Sequence, residues 1–333
     1  MKRLTLKDVA AKAKVSPITV SRVVNGADGV RVGMLLSSPA GNDLLFDSAL
    51  CEQGRNFTNK IWNSYRLISS WSVSEELKQE NSSKVAIQWF KSKFNENLTS
   101  INESYNKFRI SEALMSTYKT VWDDFCSWLL EMIKPEYGAP IDNKTQTNVI
   151  HLLEQNLKIL HPFMPFLTEE IWHFLKPRNP KDALIVSSWP THKPFNSTLL
   201  TEFDFTTEVV SAIRNLRKQK QIPFKTSIEL FVINNATFSK NFDGLISKLC
   251  NISKINYTTS AVDKAFSFRV GANEYFLLAD MVIDVASEVS KLKEELAYTK
   301  GFLKSVQKKL SNERFVSNAP QQVIAIEKKK EAD

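Results

Sequence analysis

A regular heptad spacing near the C-terminal end constrains the fold of this chain more than any other feature. Between residues 282 and 310, seam positions alternate spacings of three and four, and only Thr299 among them is polar. Such a seam predicts a long helix that packs against a partner helix. Its members are Val282, Val285, Val289, Leu292, Leu296, Thr299, Leu303, Val306 and Leu310.

The partner helix is predicted to start at Asn318-Ala319-Pro320, with Val323 and Ile326 as its first seam positions. Together the two helices predict an antiparallel hairpin, a coiled coil over residues 281–333. The second helix has only about 14 residues against about 30 in the first. We therefore expect an incomplete coiled coil, with part of the first helix left unpaired.

The middle of the chain predicts a helical bundle followed by a small α+β unit. Apolar and aromatic residues recur at helical spacing through residues 45–175, and most of the tryptophans there are expected to fill the core. A helix is predicted over 205–220, and strands and one further helix follow it. The predicted strands are Ser227–Ile233, Ala265–Val270 and Tyr275–Leu278, and the predicted helix is Phe242–Leu249. The predicted fold class is mainly α, with domains at 1–26, 27–190, 205–280 and 281–333.

Composition excludes several function classes. Only 9 of 333 residues are glycine, which argues against a chain built mainly of parallel βαβ units with glycine-rich loops. The three cysteines lie far apart, so neither a zinc motif nor a disulfide framework is predicted, and no metal site is expected. No apolar run approaches the ~18 residues of a membrane span, and the N-terminus lacks the apolar core of a signal peptide. We expect a cytoplasmic protein.

The net charge of +8 points weakly towards polyanionic partners, and half of this excess lies in residues 1–28. In that segment Thr5 is a suitable N-cap for one short helix, and Ser16-Pro17 opens a second helix that Gly26 is predicted to end. Two short helices joined by a tight turn form a helix-turn-helix.

The segment TLKDVAAKAKVSPITVSRVVNG closely resembles the DNA-binding headpiece of the lac-repressor family. The resemblance implies that the second helix enters the major groove of DNA. It places Pro17, Ile18 and Arg22 at base edges, and Ser16 and Thr19 at phosphates. It also raises an alternative function for the whole chain, that of a DNA-binding transcriptional regulator of the lac-repressor family.

The rest of the chain, from about residue 26 to 333, resembles a different family, the valyl-tRNA synthetases. The resemblance implies an anticodon-binding helical bundle, a C-terminal arm along the outer corner of the tRNA, and valine-specific tRNA as partner. The two resemblances meet at Gly26, so the sequence is that of an apparent chimaera. The segments that carry the second resemblance are GADGVRVGMLLSSPAGNDLLFD, EQGRNFTNKIWNSYRLI, SEALMSTYKTVWDDFCSWLLEMIKP, HPFMPFLTEEIWHFL, IRNLRKQKQIP and KKLSNERFVSNAPQQVI.

Catalytic signatures of that family are missing from the sequence. Neither a His-x-Gly-His turn nor a Lys-Met-Ser-Lys-Ser loop occurs, and the four histidines are too widely spaced to form the first. No catalytic residue is therefore assigned, and we expect that the chain alone forms no aminoacyl-adenylate. ATP and Mg²⁺ are implied only for a catalytic domain that this sequence does not contain.

Candidate tRNA contacts follow from what an anticodon reader needs, which is an exposed aromatic beside a cation on a rigid helix. Arg66 follows Tyr65, and Trp89 and Lys93 lie in a segment that resembles the family's Asp-x-Trp-Ile-x-Ser-Arg helix start. Ile87 and Lys93 replace the acid and the arginine of that pattern. Further candidates, for phosphate contacts, are Arg214, Arg217, Lys218, Lys308, Lys309 and Arg314. A third possibility is a helical interaction protein with no role in nucleic-acid binding.

Overall fold

The computed structural model describes residues 17–37, 48–179, 181–233, 240–278, 285–312 and 320–332. The chain divides after Leu278 into two compact units. Within the described ranges, the first unit consists of a helical bundle that continues into a four-stranded sheet, and the second unit consists of two helices. No helix of the described ranges is long and apolar enough to cross a membrane.

Helices dominate the first unit, as the periodicity predicts. A long segment over 120–129 is π-helical, with i→i+5 hydrogen bonds such as that from the Leu130 N–H to the Phe125 carbonyl. The helices are α1 (Pro17–Ser37), α2 (Ser48–Ser70), α3 (Asn81–Asn106), α4 (Ile110–Lys119), the π segment (Thr120–Leu129), α5 (Leu130–Ile133), α6 (Asn143–Leu160), α7 (Pro165–Leu175) and α8 (Ser197–Gln219). Two short strands, β1 (Val73–Ser74) and β2 (Ile141–Asp142), pair in parallel.

Glycines allow α1 and α2 to pack closely and antiparallel. A Cβ on Gly33 would lie 2.6 Å from backbone atoms of Cys51, and a Cβ on Gly54 would collide with the carbonyl oxygen of Gly29. The absence of a side chain at these positions lets the two backbones approach to a distance that no other residue would allow. Phe57 and Ile61 continue the buried face of α2 into the core.

The N-terminal helix does not end at Gly26, so the prediction that it does is wrong. Helix α1 runs unbroken from Pro17 to Ser37. Beyond Gly26 it is held by tertiary contacts. Asp28 is fully buried and accepts a hydrogen bond from the N–H of Leu167 at 2.7 Å, at the start of α7. Arg31 donates to the carbonyl of Phe163 at 3.3 Å. These contacts outweigh the weak helix-breaking tendency of one glycine.

The small α+β unit predicted from sequence is confirmed, and it contains a strand that the sequence did not reveal. Strand β4 (Ile252–Thr258) pairs in parallel with β3 (Ile228–Ile233), whereas β6 (Asn273–Leu278) pairs antiparallel with both β3 and β5 (Phe266–Val270). The strand order is β4-β3-β6-β5. Strand β4 was not predicted, because four of the seven residues of its sequence, ISKINYT, are polar. The elements are β3 (Ile228–Ile233), a 3₁₀ turn (Lys240–Phe242), α9 (Asp243–Cys250), β4 (Ile252–Thr258), β5 (Phe266–Val270) and β6 (Asn273–Leu278).

Both helices of the second unit are present, as α10 (Val285–Leu310) and α11 (Gln321–Ala332), and they pack together. Val306 of the predicted seam is buried, whereas Leu296 is 53% exposed. In α11 the inward positions are Ile324 and Glu327, so the prediction of Val323 and Ile326 is wrong by one residue. Val282 and Asn318-Ala319 lie outside the described residues.

Candidate nucleic-acid interface

The end of α2 presents an exposed cation, Arg66, beside an aromatic side chain that is only partly exposed. Arg66 is exposed in the last turns of α2, whereas Ile61 and Ile68 on the opposite face are buried. Tyr65 is half-buried and stacks on Phe174, with ring centroids 6.1 Å apart and planes within 18°. Arg66 lines a shallow groove whose other members are Asn63, Tyr65, Leu67, Ser69 and Ser70.

Trp89 lies in the core, so the expectation that it is an exposed stacking residue is wrong. Its side chain is 2% exposed. The indole packs on Phe203 of α8, with centroids 4.0 Å apart, and also contacts Phe90. An anticodon base could reach it only if α8 moved away from α3. The resemblance of the segment around Trp89 to the family's helix start therefore marks a residue of the bundle core.

Lys93 is surrounded by acids. Its Nζ lies 2.8 Å from Glu96 Oε2, and only 28% of its side chain is exposed. Burial alone would lower the pKa of Lys93, but Glu96, with Asp124 and Asp204 nearby, more than offsets this and raises it. The charge of Lys93 is thus balanced within the protein, and the site is unfavourable for a phosphate.

Arg217 has a structural position, contrary to its predicted role as a phosphate contact. The residue is 4% exposed. Its guanidinium donates to the carbonyls of Pro223 at 2.9 Å, Thr226 at 3.0 Å and Cys250 at 2.8 Å, and so holds the end of α8 against the turn before β3 and the end of α9. An arginine that donates in several directions to buried carbonyls cannot also bind a phosphate in solvent.

The other cations of α8 remain accessible. Lys218 is exposed. Arg214 is exposed as well, and one of its nitrogens donates to the carbonyl of Leu249 at 3.3 Å. Helical periodicity could have separated Arg217 from Arg214 and Lys218, because Arg217 continues the buried row of Val210 and Ile213 at spacings of three and four.

On the arm, Lys308 is exposed and available for a phosphate. Lys309 is exposed too, but its Nζ lies 3.5 Å from Glu327 of α11, so part of its charge serves the contact between the two helices. Arg314 lies outside the described residues.

The predicted DNA contacts fall at the start of α1. Pro17, Ile18, Thr19 and Arg22 are on this helix, and Ser16 and Thr5 lie outside the described residues. The helix on which they lie is about twice as long as the predicted recognition helix, and its C-terminal half is packed into the bundle.

Three lysines that the sequence did not single out lie around two asparagines. Lys91, Lys144 and Lys193 are exposed and belong to α3, to α6 and to the segment before α8. They are 49 or more positions apart in sequence, and no local pattern could have grouped them. In the described ranges no group of three or more His, Cys, Asp or Glu is placed to hold a metal ion.

Comparison with known proteins decides the family. Residues 88–232 match the model "Anticodon-binding domain of tRNA ligase", and residues 284–333 match "Valyl tRNA synthetase tRNA binding arm". A valine–tRNA ligase of Christiangramia forsetii is 58% identical over 308 residues, or 92% of this chain. The chain belongs to the valyl-tRNA synthetase family. Other valyl-tRNA synthetases, from Parabacteroides distasonis and Bacteroides thetaiotaomicron, are 46% and 45% identical, again over 92% of the chain.

The chain spans about 35% of the length of these valyl-tRNA synthetases. A solved ternary complex, LeuRS-tRNA-LeuAMS from Agrobacterium radiobacter K84, contains a chain that is similar over 57% of this chain and 22% of its own length. It is 16% identical with a TM-score of 0.37, a likeness too low to establish a shared fold.

A third family model, "Bacterial regulatory proteins, lacI family", matches residues 5–33. This match ends inside α1, and it overlaps the first residues of the synthetase-like sequence. The helix is therefore shared by the two resemblances, and the predicted boundary between residues 26 and 27 falls in the middle of a helix.

Proposed function

We propose that this chain binds tRNA, with preference for a valine anticodon, and does not itself attach valine to it. The observation that carries the proposal is the occurrence in one chain of the anticodon-binding model over 88–232 and the tRNA-binding arm model over 284–333. The exposed Arg66 beside the stacked Tyr65 supports an anticodon contact. The exposed Lys218 and Lys308 support contacts to phosphates.

Attachment of valine to tRNA would require catalytic motifs that this sequence lacks. Both signature motifs of adenylate formation are missing from the 333 residues, so no residue of the chain is assigned to ATP or Mg²⁺. Valine-dependent exchange of pyrophosphate into ATP tests this part. We expect none with this chain, and a full-length relative serves as the positive control.

Filter binding of anticodon stem-loops over a salt series tests the binding itself. We expect tighter binding of the loop with a valine anticodon than of a loop that differs only in its anticodon. Equal affinity for every loop would reduce the function to nonspecific binding by basic residues. Absence of salt-dependent binding to any tRNA would favour a helical interaction protein instead.

Operator DNA is a second candidate ligand, favoured by the lacI-family match over residues 5–33. A headpiece that binds sequence-specifically should shift a palindromic operator duplex at a concentration well below that for a scrambled duplex. Arg22→Gln should abolish this preference, since an arginine can read guanine with two parallel hydrogen bonds.

The proposal includes a cytoplasmic location. All three cysteines, Cys51, Cys126 and Cys250, are free thiols in the structure, which agrees with a reducing compartment. Cell fractionation of the tagged chain would test this location.

A further inference from the structure

Two asparagine side chains hold three lysines together on the surface of the bundle. The Nζ of Lys91 donates to Asn148 Oδ1 at 2.7 Å, and Asn148 Nδ2 donates to the carbonyl of Lys144 at 2.7 Å. Lys91 on α3 is thereby fixed beside the first turn of α6. Asn148 thus contacts two of the lysines, Lys91 through its Oδ1 and the carbonyl of Lys144 through its Nδ2.

Asn95 makes the corresponding connection to the third lysine. Its Oδ1 accepts the backbone N–H of Lys193 at 2.8 Å, and its Nδ2 donates to the carbonyl of Lys91 at 2.7 Å. The Asn196 N–H, which donates to Ser92 Oγ at 3.3 Å, anchors the same segment a second time. In the cluster that these three lysines form, the Nζ of Lys91 and the backbone at Lys144 and Lys193 are therefore held in place before a ligand binds.

The cluster is positively charged without internal compensation. Among the described residues, no carboxylate forms an ion pair with any of the three lysines. Glu154 of α6 is engaged by Lys176 and Arg178, and Asp142 caps the N-terminal end of α6. The pKa of Lys91 is lowered by burial and then by the charges of Lys193 and Lys144.

Lys144 lies in the first turn of α6, whose N-terminal end is capped by the Asp142 carboxylate, which accepts the Thr145 N–H at 2.8 Å. An anion bound at the cluster would be stabilised by the three ammonium groups.

The first turn of α6, which carries Lys144, lies beside the end of α2, which carries Arg66. Gln146, two residues after Lys144, donates from Nε2 to the carbonyl of Ile68 at 3.1 Å. Ile68 is two residues after Arg66 on α2.

We propose that Lys91, Lys144 and Lys193 form a binding site for phosphodiester groups of the RNA backbone. This inference rests on the proposed tRNA binding and adds a site to it. Three ammonium groups supply point charges without the planar fork or stacking surface that reads a base. The site therefore contributes affinity that is equal for all anticodons and depends strongly on salt.

The test compares Lys144→Gln/Lys193→Gln with Lys119→Gln/Lys181→Gln. The first pair keeps the Lys91–Asn148 hydrogen bond, and the second removes the same charge from exposed lysines outside the cluster. Binding of stem-loops is measured over a salt series. The cluster variant should reduce the log–log salt slope by roughly 1.5, since each phosphate contact adds about 0.7–0.9. The reduction should be equal for matched and mismatched anticodons, and the control pair should leave the slope unchanged.

The possible failures are distinguishable. If the wild-type chain binds no stem-loop at any salt concentration, the proposed function fails and this inference fails with it. If the wild-type chain binds but the folded cluster variant keeps the wild-type slope, only the phosphodiester site is overturned. Competition distinguishes a protein ligand from RNA: if poly-glutamate displaces the stem-loop from the wild-type chain as well as an oligonucleotide of equal charge does, the assignment to phosphodiesters is overturned.

Discussion

Trp89 and Phe203 lie ring against ring, with centroids 4.0 Å apart. Phe203 also contacts Phe242 at 5.4 Å and Trp128 at 5.5 Å, so this aromatic group joins α3, α8 and the π segment to the turn that leads into α9. The bundle and the small α+β unit consequently share one core. The aromatic residue whose sequence context most resembles an anticodon reader is one of the residues that hold this core together.

Trp89→Ala and Arg66→Gln should separate stability from binding. Removing the buried indole leaves a large cavity and should lower the free energy of unfolding by about 3–5 kcal/mol. Arg66→Gln should leave the urea midpoint unchanged and weaken binding of the valine-anticodon stem-loop. A Trp89→Phe variant that stays folded but loses affinity as Arg66→Gln does would contradict this assignment.

Arg217→Lys and Lys218→Gln form a matched pair of neighbours. The lysine at 217 cannot reach the carbonyls of Pro223, Thr226 and Cys250 at once, so we expect a loss of about 2–4 kcal/mol in unfolding free energy. Lys218→Gln should change stability by less than about 0.5 kcal/mol and lower the salt slope of tRNA binding by under about one unit. Thermal melts and filter binding check the two effects. If Arg217→Lys lowered the salt slope while Lys218→Gln lowered the stability, Arg217 would be a phosphate contact after all.

Glycine substitutions test the continuity of α1. Gly26 is a helical residue with open space around its Cα, so Gly26→Ala should stabilise the protein by about 0.5–1 kcal/mol. A helix that ended at Gly26 would instead be destabilised by alanine at its left-handed position. Gly33→Ala should cost about 2 kcal/mol or more, because its Cβ would meet the backbone of Cys51. Urea unfolding of both variants decides between the two descriptions.

Asp124 should make stability depend on pH. Burial raises its pKa to about 6, although Lys93 and a hydrogen bond from Asn97 at 2.9 Å oppose the shift. The folded state therefore favours the protonated form. Its contribution to stability is complete below the ordinary pKa of 3.8 and is lost as pH rises through about 6.

The matching variant is Asp124→Asn, which does not titrate. Relative to it, the wild-type chain should lose up to about 3 kcal/mol of unfolding free energy between about pH 4 and about pH 7. Urea unfolding at several pH values measures this difference. A difference between the two proteins that stays constant over this range would show that Asp124 is not buried as the structure describes.

Periodicity predicted the helical bundle, the arm, and strands β3, β5 and β6, because the spacing of apolar residues is a local property that the chain carries whatever surrounds it. The sequence also indicated Arg66 as a candidate tRNA contact, and the fold leaves this side chain exposed at the end of α2. The polar strand β4 was not predicted, because most of its side chains lie outside the core when it pairs with β3.

Tertiary structure decided which cations and aromatics face solvent. Trp89, Arg217 and Lys93 carry the right chemistry for tRNA binding, but α8, the end of α9 and a group of acids bury or neutralise them. Tertiary structure also carried α1 past Gly26 and assembled Lys91, Lys144 and Lys193 from three distant segments. Most of these outcomes depend on contacts between residues far apart in the chain, and such contacts change burial and charge without leaving a local pattern in the sequence.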